Sequence, residues 1–151
     1  MTRRAEPGTQ VGSRASDDTR IEVDSEATAA STDAIDESLK TRTMDEAPVG
    51  ITIADATEPD MPLVYVNAAF ERITGYPPEY AVGRNCRFLQ GDATREEPIA
   101  EMRAAIEAGE ATSVEIRNYR RNGELFWNEV TIAPLRDAGG DITHYVGFQR
   151  E

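Results

Sequence analysis

The sequence predicts an α+β fold: one five-stranded antiparallel sheet with short helices over one face. Three observations carry this. Apolar residues alternate along five short segments, and Gly, Pro, Asn and Asp punctuate the spaces between them. The elements run as two strands, several short helices, then a three-stranded meander. The pattern is confined to residues 47–151. Residues 1–32 form an acidic leader rich in Ser, Thr, Asp, Glu and Ala. It reads as disordered, because so little apolar surface cannot offset the entropy of ordering the chain. Residues 33–46 are expected to add a weak cap helix, with Ile35 and Leu39 four apart on one face and Met44 near its end.

Ile51–Ile53 and Leu63–Val66 read as the first two strands, joined by the turn-rich stretch Asp55–Pro62. Asn67 can cap a helix through Ala68, Phe70 and Ile73 that stops at Gly75. A short helix at Glu79–Val82 ends at Gly83, and another short element carries Arg84–Leu89. Thr94 with Glu97 has capping-box spacing and is expected to open a helix whose apolar positions are Ile99, Met102 and Ile106. Pro98 is tolerable in its first turn, and Gly109 ends it. Ser113–Arg120, Leu125–Leu135 and Ile142–Gln149 read as the closing strands. Asn122-Gly123 and Gly139-Gly140 supply their hairpin turns.

Composition excludes several functions. There are 28 acidic and 16 basic residues, giving a net charge of −12, and Lys40 is the single lysine. Such a balance suits high salt, where carboxylates stay hydrated, and argues against an electrostatic grip on nucleic acid or anionic membrane. One Cys excludes an intramolecular disulfide, and with one His it leaves no zinc cluster. No apolar run approaches the ~20 residues of a membrane span. The first residues lack the apolar core of a signal peptide, so a cytoplasmic protein is expected.

Alternation places Val114, Ile116 and Asn118 on one face, as it does Phe126, Asn128, Val130 and Ile132, and Tyr145, Gly147 and Gln149. An amide therefore stands among apolar neighbours on each of three strands. Such amides either face one cavity that holds a flat polar ligand, or lie as ordinary amides at strand ends and exposed positions. Alternation alone favours the second reading.

Residues 83–91, Gly-Arg-Asn-Cys-Arg-Phe-Leu-Gln-Gly, change that balance. The string resembles the signature of LOV (light-oxygen-voltage) domains, the flavin-binding blue-light sensors of the PAS superfamily. Val66-Asn67-Ala-Ala-Phe70 and Thr74-Gly75-Tyr76 resemble the general PAS pattern. Arg103, Asn118-Tyr119, Phe126-Trp127-Asn128 and Gly147-Phe148-Gln149 follow in the order and spacing of the LOV group. The resemblance implies a PAS fold and bound FMN. Cys86 is then the photoactive thiol, which bonds reversibly to flavin carbon C4a under blue light. A lone Cys is otherwise most simply a small hydrophobe. Arg87 and Arg103 match phosphate ligands, and Asn85 and Gln90 match contacts to the ribityl chain and ring edge. Asn118 and Asn128 match the pair that reads the pyrimidine side. Gln149 matches the residue that senses ring nitrogen N5, with Gly147 leaving room beside it. Thr52, Phe70, Leu89, Ile106, Val130 and Ile132 are expected to line the ring pocket.

The resemblance implies a sensory domain, not an enzyme: a short LOV protein, or the sensor module of a larger receptor; the acidic, lysine-poor composition suggests a halophilic archaeon as its source. The alternative is a PAS flavin redox sensor in which Cys86 is incidental. A Cys86 nucleophile lacks a base, since His144 alternates away from Gln149. Leu125, Trp127, Ile142, Val146 and Phe148 should form an apolar outer sheet face. Its expected cover is the N-terminal helix and a second copy in a homodimer, which would carry the signal to a downstream partner.

Overall fold

The computed structural model describes residues 35–151. Contacts divide the chain into two units, Met1–Thr41 and Arg42–Glu151. The expected leader, residues 1–32, lies outside the described residues. Helix α1 spans Glu37–Asp45, inside the segment expected to be helical.

The second unit is one antiparallel sheet in the order β2-β1-β5-β4-β3. The strands are β1 (Gly50–Asp55), β2 (Leu63–Val66), β3 (Thr112–Tyr119), β4 (Leu125–Arg136) and β5 (Ile142–Arg150). Burial alternates strictly along β3 and the first half of β4, and the same residues face inward as the sequence pattern requires. Both hairpins of the meander use one device. Gly123 and Gly140 hold φ of 91° and 89°, a region open to glycine. The turns close through Gly123 N–H to the Arg120 carbonyl and Gly140 N–H to the Asp137 carbonyl. Asn122 Oδ1 accepts from Glu124 N–H, and Asp137 Oδ1 from Gly139 and Asp141 N–H.

Between β2 and β3 run α2 (Ala68–Thr74), α3 (Pro78–Ala81), a 3-10 helix (Cys86–Leu89) and α4 (Glu96–Ala108). Asn67 caps α2 by accepting from Phe70 N–H, and Gly75 ends it at φ 81°. Leu63, Val66, Phe70, Ala81 and Leu89 make one buried cluster, joined by Tyr76, Cys86 and Phe88. Val114, Ile116 and Val130 make a second, joined by Met102 and Ile132. The aromatic rings of Tyr76, Tyr80 and Phe88 pack with centroids 4.8–5.3 Å apart. Tyr145 Oη donates to the Ile106 carbonyl at 2.9 Å, pinning the last turn of α4 to the sheet.

Asn67 does more than cap a helix. Only 1% exposed, it accepts from Ile51 N–H at 2.8 Å as well as from Phe70 N–H. Its Nδ2 donates to the Met44 and Val49 carbonyls at 2.8 and 3.1 Å. All four hydrogen-bonding places of the amide are used. Asp45 Oδ1 adds contacts from Tyr65 Oη and Ala68 N–H, so residues 44–49 are held to β1, β2 and α2.

Two sequence expectations fail here. Thr94 does not cap α4, which begins at Glu96 with Arg95 at its N-cap and no side-chain cap. The Thr94 hydroxyl instead donates to the Arg117 carbonyl at 2.6 Å and accepts from Gly91 N–H at 2.9 Å, tying the loop to β3. Ile142 does not join the outer face. Pairing slips between Leu135 and Arg136 of β4, which stand opposite His144 and Ile142. That bulge turns Ile142 toward the end of α4, where its Cδ1 lies 3.1 Å from a Cβ built on Gly109.

Candidate functional site

A cavity of about 160 Å³ lies between the inner sheet face, the 3-10 helix and α4. Its polar wall comes from Thr52, Asn85, Arg87, Gln90, Asn118, Asn128 and Gln149. Its apolar walls come from Leu63, Leu89, Met102, Ile106, Ile116, Val130 and Ile132. A slot with apolar flanks and amides along one side suits a flat ring with polar edges.

The sheet register explains how the amides meet. Asn128 stands opposite Ile116 on β3, while Val130, two residues on, stands opposite Gln149 on β5. Asn118, Asn128 and Gln149 are 4%, 0% and 3% exposed, so none is an ordinary surface amide. Asn128 Nδ2 donates to Asn118 Oδ1 at 2.9 Å and to Gln149 Oε1 at 3.4 Å. Gln149 Nε2 in turn donates to Cys86 Sγ at 3.8 Å. The row ends in a deficit: Asn128 Oδ1 is buried and has no donor. An unpaired buried acceptor costs about 1–3 kcal/mol, and a ligand N–H would relieve it. The residues thus fit a flavin in chemistry, since its pyrimidine edge offers such a donor and its ring is apolar on both faces like the flanks.

Cys86 opens the 3-10 helix, which Asn85 caps by accepting from Arg87 N–H at 2.9 Å. Burial pushes its thiol up to about 11, and the Gln149 hydrogen bond opposes the shift only in part. The sulfur therefore carries its proton at neutral pH. That is the opposite of an activated hydrolytic cysteine. His144, opposite Asp55 at the far end of the β1–β5 ladder, contacts Thr143 and offers Cys86 no base.

Most of the residues expected at the pocket do line it: Thr52, Asn85, Cys86, Arg87, Leu89, Gln90, Ile106, Asn118, Asn128, Val130, Ile132, Gly147 and Gln149. Phe70 and Arg103 are not among the residues that line it. Phe70, fully buried, belongs to the core cluster against which Cys86 packs. Arg103 stands exposed on α4, because Met102 and Ile106 take the inward stripe. Gly147 is needed for a nearer reason than ligand space. A Cβ there would lie 2.6 Å from Thr52 Oγ1 across the β1–β5 ladder. Val146 borders the cavity beside Gly147, where no side chain covers the backbone.

The sequence reading missed Ala54, Met61, Leu63, Met102, Ile116, Tyr145 and Val146 as lining residues. Ile116 and Tyr145 were findable, since each lies two positions from an inward amide or glycine. Met61 follows a turn and carries no such signal. Among the described residues no group of His, Cys, Asp and Glu could hold a metal ion. Nor is any helix there long and apolar enough to cross a membrane.

Comparison with known proteins identifies the family. Residues 48–151 match the family model described as PAS domain. Over 113 residues the chain is 54% identical to the bacterioopsin transcriptional activator of Halobacterium salinarum, covering 75% of this chain and 17% of that one. The chain spans less than half the length of such curated relatives. It is similar to the LOV domain of the Erythrobacter litoralis EL346 blue-light activated histidine kinase, with 44% identity and a TM-score of 0.67. The match covers 70% of this chain and 96% of that domain. It is also similar to the light-state dimer structure of the fungal blue-light photoreceptor Vivid, at 32% identity and a TM-score of 0.68, covering 70% and 79%.

Proposed function

The chain belongs to the PAS family, in its LOV branch, and from that premise we propose that residues 47–151 are a blue-light sensory domain that binds FMN. One observation carries the reading: the Cys86 thiol and a row of buried amides with one unpaired acceptor meet in a single slot. When bound, a flavin would supply a ring carbon that light makes reactive toward a thiol, beside a ring nitrogen that takes up a proton.

Each residue then has a task. Asn118 and Asn128 orient the pyrimidine edge, and Asn128 Oδ1 gains its donor. Arg87 at the mouth offers planar charged donors to the phosphate. Cys86 would hold both its sulfur and its proton beside the ring, so the thiol would need no outside base or oxidant. Gln149 presents either its carbonyl or its amide end to the ring nitrogen, and protonation there reverses which end is preferred. Because Gln149 pairs with Gly50 on β1 and Val130 on β4, its reorientation is felt at the centre of the sheet. On the outer face Leu125, Trp127 and Phe148 are 46%, 54% and 39% exposed, a surface suited to a second copy or another apolar partner. We place the domain in the cytoplasm of a salt-adapted organism, a reading supported by the charge of −12 and by the Halobacterium relative.

The test is an absorption spectrum of the purified protein before and after blue light. Wild type should show a flavin spectrum that bleaches and recovers in the dark. Cys86→Ala should keep the flavin and lose the reversible bleaching. A colourless protein that takes up no flavin, or a variant that bleaches and recovers like wild type, would sink the reading.

A further inference from the structure

The β1–β2 connection holds two consecutive residues in the left-handed region, Asp60 at φ 70° and Met61 at φ 45°. Side chains are rarely held there, and an unbranched apolar one such as Met gains nothing locally in return. Such backbone persists where its surroundings fix it. Here Met61 N–H closes a turn onto the Glu58 carbonyl at 3.2 Å, and Asn85 Nδ2 donates to the Asp60 carbonyl at 2.7 Å. The Arg87 guanidinium pairs with Asp60 Oδ1. In consequence the Met61 side chain enters the cavity wall, and both polar residues at the mouth, Asn85 and Arg87, are engaged by Asp60.

We propose that Asp60 is a specificity-determining residue for the phosphate end of the ligand, an anion that occupies Arg87 until a phosphate displaces it. The inference rests on the flavin reading above. The two side chains are 52% and 63% exposed, so their attraction is weak and a dianionic phosphate can take the guanidinium. Asp60 does not leave when it is displaced, because Asn85 holds its backbone carbonyl. Its carboxylate remains beside the incoming phosphate and repels it. Asp60 therefore offsets part of what a phosphate gains at Arg87. It leaves untouched a flavin without phosphate, which has no need of the guanidinium.

The test is titration of flavin-free protein with FMN and with riboflavin, followed by flavin fluorescence, for wild type and Asp60→Asn. Asn tolerates the left-handed backbone, so the substitution removes charge and keeps the loop; a melting curve of the flavin-free variant checks its folding. FMN should bind Asp60→Asn about three- to tenfold more tightly, riboflavin should change by less than about twofold, and the FMN gain should shrink as salt rises. An equal change for both flavins, or weaker FMN binding, overturns the proposal: the first makes Asp60 a structural residue, the second a residue that orients Arg87. If wild type binds neither flavin, the flavin reading itself falls. If wild type binds FMN and Asp60→Asn binds it no better, this inference alone falls.

Discussion

Asn67 and Asn128 are the same side chain, equally buried, in opposite states. Asn67 uses both acceptor and both donor places on partners from α2, β1 and the segment before it. Asn128 spends its Nδ2 on two neighbouring amides and leaves Oδ1 with nothing. Burial does not distinguish them, since they are 1% and 0% exposed. Saturation does. A saturated amide is a structural knot, whereas an unsaturated one in a slot holds a place for a ligand.

The largest effect that could break this contrast is at the knot. Asn67→Ala strands four backbone groups and should cost about 3 kcal/mol, lowering the melting temperature by about 10 °C. Measured well below that temperature, flavin affinity should hardly change. If flavin binding fell and stability did not, the assignment of roles would be reversed.

Asn128→Leu should do the converse. It conserves volume and removes the orphan acceptor, but leaves Asn118 and Gln149 short of a donor. Stability without flavin should therefore fall by one unpaired acceptor's worth, ~1–3 kcal/mol, while FMN affinity drops about tenfold. Calorimetry with and without flavin reads both.

The Cys86 thiol sharpens the contrast through pH. Burial favours its neutral form in the folded state, raising it to about 11 from an ordinary value of 9.0. The stabilisation is fully present below about pH 9 and is lost as pH rises through about 11. The stability difference between wild type and Cys86→Ala should be flat at neutral pH and shift against wild type between those limits. A difference that stays flat from about pH 9 to 11 would mean the thiol is not desolvated. The smallest expected effect is that of salt. With a net charge of −12 the protein should melt higher as salt rises. The loss caused by Asn67→Ala should stay constant across the series, because the knot is made of neutral groups.

The strands were legible because alternation and turn chemistry are local. Asn-Gly and Gly-Gly at the hairpins name the turns, and β3 and β4 declare their inner faces residue by residue. Asn67 was legible only as a helix cap. Its other partners lie 16 to 23 residues away, and no local pattern encodes them. Thr94 misled for a related reason: its spacing to Glu97 fits a capping box, yet β3 offered its hydroxyl a carbonyl 23 residues on. The three amides could be placed on inner faces from sequence, but their convergence needed the register of β3, β4 and β5. The LOV-like string at 83–91 supplied what alternation could not. It did not show that Phe70 sits in the core cluster and does not line the slot.

The strand order 2-1-5-4-3 puts the first strand beside the last, with Thr52 opposite Gly147 and Gly50 opposite Gln149. Closing a loop of that length costs roughly 4 kcal/mol of chain entropy above a constant term. The meander from β3 to β5 pairs through tight turns and can form early, whereas the β1–β5 seam must wait. On a ribosome that adds ~5–20 residues per second, β1 has only the short β2 for a partner until the last strand has emerged. The slot is walled by both sides of that seam, through Thr52 and Gln149. A flavin in that slot would therefore need the β1–β5 seam closed, and a nascent chain arrested before Ile142 should be unable to hold it.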